Sequence, residues 1–450
     1  MHIAMLSPIA WRTPPENYGP WESVVSLLTE ELLSRGYKVT LFATGNSKTS
    51  GKLHSVCARG YDEDNSIIPK VWECLHISEL FEHAEDFDII HNNFDYLPLT
   101  YTSFISTPVV TTIHGFSSPG ILPVYKKYNN KVSYISISDA DRSPELDYIK
   151  TIHHGIDLNQ FNFQNDPDDY LLFFGRIHPD KGTKEAIEIA KACNKKLILA
   201  GIIQDEAYYN QYIVPYLDSK NVVFIGSAGP AQRNQLLGKA TALLHPINFE
   251  EPFGLSVIES MACGTPVIAF NRGSMPELIE NGKNGFLVNT VDDAIGAVRQ
   301  IKNIDRKYCR RYIEQHFTVN QMAEKYIQVY QKILNKMKNN EHPSWGSIKI
   351  LANDDYYKIT EFLIHPQKQM FLRNHRAQSA HLYIIQGQAQ IKLNNEVFTL
   401  EQGESIALPE DDQQSITNLK SENMRFIEVQ TGGYLKNNDT KYFSDEFLKA

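Results

Sequence analysis

The stretch Phe249–Gly264, with the sequence FEEPFGLSVIESMACG, constrains this chain more than any other. It follows an apolar run, Ala242–Leu244, that ends in His245-Pro246, so a strand gives way there to a helix. Leu255, Ile258 and Met261-Ala262 recur at helical spacing, and Gly264 before Thr265-Pro266 closes the helix. Pro252 suits the first helical position, since it lacks the donor that position leaves unpaired. Glu251 then lies just before the helix and Glu259 about two turns inside it. One carboxylate would face a ligand at the helix mouth, and the other would reach a polyol from its flank. The amides around Phe253, Gly254 and Leu255 would point at an anion such as a diphosphate.

The chain has 450 residues, which suggests about three domains of ordinary size. A net charge of −9 argues against nucleic acid as the main partner, because tracking phosphates needs a basic excess. Five scattered cysteines in no CxxC pairing read as reduced thiols of a cytoplasm-like compartment. The first ten residues lack a charged n-region and run straight into a strand, so no signal peptide is expected. No apolar run approaches the roughly 20 residues that span a bilayer. Cytoplasmic residence, with peripheral contact at the inner membrane face as an option, is the expectation.

Taken in order, His2–Ser7 is a buried-strand pattern and 11–20 a Pro- and Gly-containing loop. A helix follows with Val24, Val25, Leu27, Leu28, Leu32 and Leu33 on its apolar face and Gly36 stopping it, and the next strand begins at Lys38. This is a βαβ unit without GxGxxG. Two further strands end in His91 and His114. Carboxyl ends of strands in an open α/β sheet face the ligand crevice, so both histidines are candidates, with core or capping histidines as the competing reading. Residues 117–131 run from apolar to basic and would touch an acceptor or an anionic surface, or simply form a solvated loop. Tyr170–Phe174 delivers Arg176 and then Lys181 on a turn beside a new helix. Two cations five apart can grip a diphosphate from two sides and offset charge that builds as a sugar–phosphate bond breaks. Between Arg299 and Lys338 ten Lys/Arg stand against three Asp/Glu, a basic run that reads first as a solvated helical face.

The run Glu-Pro-Phe-Gly-Leu-x-x-x-Glu-x-Met-Ala-Cys-Gly-Thr-Pro-Val-Ile-Ala resembles the donor-site signature of retaining glycosyltransferases of family 4. Residues 14–43, Gly175-Arg176 with Lys181-Gly182, and Ile152–Phe161 are similar to that family's first loop and helix, phosphate grip and crossing point between domains. The resemblance implies two facing Rossmann-like domains (the GT-B fold): an acceptor-side domain over 1–165 and a nucleotide-sugar-binding domain over 166–338. It implies that Glu251 meets the hydroxyls of the transferred sugar, Glu259 the ribose, and Arg176 and Lys181 the diphosphate. Amides at Phe253, Gly254 and Leu255 would help, and so would Gly19, where the family's usual second glycine is replaced by Pro20. His114 matches the position that contacts the donor sugar near the reacting carbon.

After 339–344, composition changes to short alternating strands spaced as in a small β-barrel. The segments around Gly387, Gly403-Glu404 and Phe426–Gly432 resemble the C-terminal cupin domain of type II mannose-6-phosphate isomerases, over roughly 345–450. A catalytic cupin holds a metal on clustered histidines and a carboxylate. Here His375 and His381 are present, while Gln414 stands where a late histidine is expected and no acid lies between the first two. Sugar binding or homodimerisation suits this domain better than a metal site.

The expected activity is metal-independent, retaining transfer of a hexose from a nucleotide-diphosphate sugar of the GDP-mannose or UDP-glucose type. The acceptor would be a hydroxyl of a glycan, lipid-linked or small-molecule partner, and no cofactor is expected. The alternatives are a sugar-phosphate isomerase acting through the cupin and a non-catalytic sugar-binding protein.

Overall fold

A computed structural model describes the chain apart from residues 17, 116–119, 339, 342, 344, 355, 374–378, 394–395, 409–412, 432–440 and 444–450. It comprises two compact units, Met1–Tyr330 and Gln331–Ala450.

The first unit contains two parallel sheets. The first is built from β1 (His2–Leu6), β2 (Lys38–Phe42), β3 (Lys52–His54), β4 (Ile89–Asn92), β5 (Val109–Ile113), β6 (Val132–Ser136) and β7 (Tyr148–Thr151). Their order across the sheet is β3-β2-β1-β4-β5-β6-β7. The second contains β8 (Tyr170–Phe174), β9 (Lys196–Ala200), β10 (Val222–Phe224), β11 (Ala242–His245), β12 (Val267–Phe270) and β13 (Gly285–Val288), ordered β10-β9-β8-β11-β12-β13. Strands such as Ala242–His245, buried at every position, read as continuous apolar runs because helices cover both faces.

In each sheet the order reverses once: between β1 and β4 in the first, between β8 and β11 in the second. Loops leaving neighbouring strands at such a switch diverge to opposite faces and open a crevice at the carboxyl ends. Residues 7–19 and 93–97 leave the first switch, and residues 175–182 and 246–254 leave the second. Every expected site residue except His91, inside β4, His114, which follows β5, and Glu259, on the helix after β11, lies in one of these loops or at its end.

The helix Pro20–Ser34 begins with proline behind Gly19 and stops at Gly36. Gly36 is left-handed (φ 82°), with its amide on the Leu33 carbonyl at 2.9 Å, so the chain turns without steric cost. Residues 319–330, which follow the second sheet in sequence, return to the first. There the Tyr326 hydroxyl meets Thr112 Oγ1 at 2.9 Å and the Tyr330 hydroxyl meets His91 Nδ1 at 2.7 Å. Arg35 closes the same contact by donating to Glu324 at 2.9 Å. His91 also pairs with Thr112 through Nε2 at 2.8 Å, so both ring nitrogens are engaged and it is a core histidine.

The second unit is antiparallel. One sheet runs Asn340–Glu341, Gly346–Asn353, Tyr357–Ile364, Met424–Thr431, Ser379–Gln386, Ser405–Leu408 in spatial order. The other runs Glu396–Leu400, Ala389–Leu393, Gln413–Thr417, Gln369–Arg373, Lys441–Phe443. Their inner faces meet over Phe362, Phe426, Ile384, Ile391 and Ile416, with Phe362 and Phe426 stacked at 4.7 Å. The inward positions Ala380, Leu382 and Ile384 place His381 on the opposite, solvent face, where it cannot join a ligand set inside the barrel. His375 and the side chain of Gln414 lie outside the described residues.

Candidate active site

The helix of the central stretch spans Leu255–Ala262 and starts later than its sequence suggests. Gly254 is its N-cap in a left-handed conformation (φ 99°), and Pro252 lies in the preceding loop rather than at the first helical position. The loop is held from outside. The Pro252 carbonyl accepts from Ser138 Oγ at 2.6 Å, the Phe253 carbonyl from Ser274 Oγ at 2.5 Å, and the Glu251 carbonyl from the Ser274 amide at 2.9 Å. A side chain at Gly254 would put Cβ 2.8 Å from Met275 Cε. Glycine thus lets the backbone turn sharply, and the first helical amides, at Leu255 and Ser256, have no protein acceptor among the described residues.

Lys181 donates to Glu251 directly, and His245 Nε2 lies 3.7 Å from the same carboxylate oxygen. Burial pulls the Glu251 carboxyl upward, but Lys181 and then His245 outweigh it and hold it down at about 2. Glu251 is therefore an anion whose orientation is set by a cation. Lys181 also lies over the Phe249 ring at 4.7 Å. Gly182, the residue after Lys181, is left-handed (φ 72°), and a Cβ there would fall 1.8 Å from the Pro246 carbonyl oxygen. This close approach of the two switch-point loops brings Lys181 and Glu251 together. Arg176, half-buried, donates to Gln204 and carries no carboxylate partner among the described residues, so its charge remains available to a ligand.

Glu259 is buried on the flank of the helix, where burial pushes its carboxyl up while Arg233 pulls it down. Arg233 Nη1 donates to Glu259 Oε1 at 3.1 Å and its guanidinium covers the Phe161 ring at 5.3 Å. The other oxygen has no protein donor among the described residues. Arg233 was not foreseen: a lone arginine on the helix Pro230–Lys239 carries no sequence signal until its partner is known.

On the first-domain side, His114 Nε2 meets Asn93 Oδ1 at 2.8 Å. The amide oxygen can only accept, so Nε2 bears the proton and Nδ1 keeps a bare lone pair. That Nδ1 is buried without a partner among the described residues. The ring lies between Trp21 (5.6 Å) and His154 (5.1 Å), both stacked. Burial, with a smaller contribution from His91, takes it down to about 3, so it is a neutral acceptor at physiological pH. His154 in turn meets the edge of Phe253 at 4.9 Å, a chain of rings linking the His114 side of the cleft to the helix mouth.

Gly19 (φ 144°) lets the first loop fold tightly, since a Cβ would sit 2.9 Å from Pro15 and 3.0 Å from Glu22 Oε2. Tyr18 beside it senses both Arg176 and Glu251, which places this loop over the second domain's grip. Glu22 is buried behind the loop, and burial raises its carboxyl to about 7. Neither Tyr18 nor Glu22 was singled out from the sequence.

Residues 157–318 match the family model for glycosyl transferases group 1, residues 22–143 that for glycosyltransferase family 4, and residues 331–445 that for the mannose-6-phosphate isomerase C-terminal segment. An uncharacterized 41.2 kDa protein in the cps region of Klebsiella pneumoniae is 29% identical over 167 residues, 36% of this chain and 45% of that protein. The GDP-mannose:cellobiosyl-diphosphopolyprenol alpha-mannosyltransferase of Komagataeibacter xylinus is 25% identical over 299 residues, 57% of this chain and 75% of that protein. The chain spans less than half the length of the first curated relatives it matches, 45% and 49%. Among solved structures, sucrose-phosphate synthase from Thermosynechococcus elongatus superposes with a TM-score of 0.60 at 20% identity, over 74% of this chain and 99% of that one, a likeness of fold. With both parallel-sheet halves matched by glycosyltransferase models and their GT-B architecture shared, residues 22–143 and 157–318 belong to the group 1, family 4 glycosyltransferases, and residues 331–445 are similar to the mannose-6-phosphate isomerase C-terminal segment.

Proposed function

We propose that this protein transfers a hexose from a nucleotide-diphosphate sugar to a hydroxyl acceptor, with retention at the anomeric carbon and with protein cations serving the diphosphate. The observation that carries the reading is the convergence of Arg176, Lys181, Glu251 and the amides behind Gly254 on the one switch point of the second sheet. Arg176 has charge to spare for the leaving diphosphate, and the helix mouth supplies amide donors. Lys181 holds Glu251 ionised, so that Glu251 accepts from hydroxyls of the transferred sugar. Glu259 offers its second oxygen to the ribose, and Gly19 lets the first loop approach the phosphates. The bare Nδ1 of His114 accepts from the sugar near the reacting carbon. We expect same-face attack of the acceptor hydroxyl, its proton passing to the departing phosphate as the bond from the sugar carbon to that phosphate breaks.

The name of the Komagataeibacter relative favours a GDP-mannose donor, and solved structures of like fold have been obtained with UDP-glucose. We propose cytoplasmic residence, a glycan, lipid-linked or small-molecule acceptor, and sugar binding or self-association for the second unit. Among the described residues no helix is long and apolar enough to cross a membrane, and we propose peripheral contact as the form any membrane association takes. The test is a thermal-shift panel of UDP, GDP, ADP and their sugar conjugates on the full chain, followed by label transfer from the responding donor. Stabilisation grows as ln(1 + [L]/Kd), so a micromolar donor at millimolar concentration gives about 4 kcal/mol. One nucleotide should stand out, and Glu259→Ala should abolish its shift. A panel without any response refutes the reading.

A further inference from the structure

We propose that Asp141 is an acceptor-binding residue, whose two carboxylate oxygens receive neighbouring hydroxyls of a sugar at the first-domain side of the cleft. This rests on the transferase reading above and names the chemistry of its second substrate.

Asp141 follows β6 at the same sheet end as Asp95 after β4 and His114 after β5; these three strands are adjacent in the sheet. Its side chain is 5% exposed, and neither oxygen has a hydrogen-bond partner among the described residues. A carboxyl group in that position costs several kcal/mol unless something fills its lone pairs.

The surrounding turn is not loose. Ser138 Oγ accepts from the Asp141 amide at 3.1 Å and donates to the Pro252 carbonyl at 2.6 Å. The amides of Asp139 and Ala140 donate to Glu277 at 3.0 and 2.9 Å. The turn is thus tied, through Ser138 and the Pro252 carbonyl, to the loop that carries Glu251.

Its neighbourhood selects the ligand. Asp95, which takes the Tyr125 hydroxyl, and Glu277, which is paired with His153 at 2.8 Å, are the charges that act on Asp141. The adjacent Arg142 is turned away, over the Tyr148 ring at 4.9 Å and 3.9 Å from Asp139. An anionic acceptor group is repelled here. A hydroxyl pair supplies two donors without adding charge, and burial reinforced by the two acids, which lifts this carboxyl to about 7, suits a neutral ligand.

The test uses the full chain with whichever nucleotide sugar stabilises it, and offers octyl α-mannoside, octyl β-glucoside and octyl β-galactoside as neutral acceptors. Octyl 2-amino-2-deoxy-β-glucoside and glucose 6-phosphate are the cationic and anionic arms. Label transfer gives the acceptor KM, and the thermal shift gives nucleotide affinity. We expect a neutral glycoside to be used and Asp141→Asn to raise its KM about tenfold or more, as losing a hydrogen bond to a charged group does. Nucleotide affinity should stay within about twofold, because that ligand binds elsewhere. The melting temperature should not fall, since the carboxylate satisfies nothing in the free protein. Independently of any variant, at least one monodeoxy form of the best glycoside should show a comparable rise in KM on the native enzyme.

An unchanged KM in Asp141→Asn, or a melting temperature and nucleotide affinity that fall together, overturns the assignment. Use of the amino glycoside or the phosphate alone overturns the hydroxyl class, as does a protein that binds nucleotide but uses no glycoside. If no nucleotide binds, the transferase reading fails first and this inference with it.

Discussion

Replacing Lys181 by methionine tests the electrostatic core of the site. The side chains of Lys181 and Glu251 are 14% and 12% exposed, so their attraction is little screened. Glu251 is held at about 2 against an ordinary 4.5. That gap, the net of burial against the two cations, corresponds to roughly 3 kcal/mol at about 1.4 kcal/mol per unit, so Lys181 and the more distant His245 together supply at least that much. Assigning the larger part to Lys181, we expect Lys181→Met to destabilise the protein by about 2 kcal/mol, or ~4 °C in melting temperature for a unit of this size. Most of that cost is a carboxylate left buried without its cation, so adding Glu251→Gln should restore at least half of it. The pH dependence has a definite sign. A carboxyl whose folded value lies below its unfolded one contributes fully above about pH 4.5 and loses that contribution as pH falls toward 2. The gap between wild type and Lys181→Met should therefore hold between pH 8 and 5 and narrow in stronger acid. Melting curves of wild type and the two variants across that range and into stronger acid are the assay. A Lys181→Met protein that melts with wild type at pH 7, or a double variant no more stable than Lys181→Met, would show that the pair does not hold the carboxylate.

Arg176→Ala should leave melting nearly unchanged, because its one described partner is Gln204, while turnover falls about a hundredfold or more, measured by label transfer from the donor. Gly182→Ala should be severely destabilising, since Cβ meets the Pro246 backbone oxygen at 1.8 Å with φ at 72°, and soluble yield with a melting curve checks it. Glu22 is raised to about 7, so its charge costs stability above that pH and the cost disappears as pH falls toward 4.5. Glu22→Gln should accordingly gain relative to wild type at pH 8 and lose that advantage at pH 5. Glu259→Gln should weaken nucleotide binding about tenfold, read in the thermal shift, because a donor amide replaces one acceptor oxygen facing a hydroxyl.

Much of this site was legible because its parts lie where strand turns to helix. Apolar runs that end in Gly175-Arg176 and in His245-Pro246 mark β8 and β11, and the sheet order makes these two strands neighbours at the switch point. What was not legible depends on distant partners. Nothing local to His91 shows that Tyr330, 239 residues later, takes its ring nitrogen, and so makes it a core residue rather than a ligand. Pro252 carries the sequence signal of a helix start, yet a left-handed Gly254 and bonds from Ser138 and Ser274 delay the helix to Leu255. His381, by contrast, was readable: in Ala380-His381-Leu382-Tyr383-Ile384 the alternation already sets the histidine opposite the apolar residues.

The same contrast explains why the acceptor side is harder to read than the donor side. The donor grip uses a lysine, an arginine and a helix mouth, groups whose chemistry is plain in any context, and it places them within two short loops. The first domain supplies an imidazole with one free nitrogen, a carboxyl with two free oxygens and a glycine-hinged loop, each after a different strand. Their meaning comes only from what fails to bond them. His114 Nδ1 and both oxygens of Asp141 are buried and unpaired among the described residues, while most polar groups around them are bonded, as the Ser138–Asp141 turn and the Asn93 contact show. Leaving these atoms open, together with Nδ1 of the stacked His154, costs stability at that spot, and on the proposed reading a hydroxyl-bearing substrate would recover that cost by completing the bonds. On the proposed reading, donor and acceptor sides divide by mechanism as well as by domain: charge that is supplied on one, and hydrogen-bonding capacity that is withheld on the other.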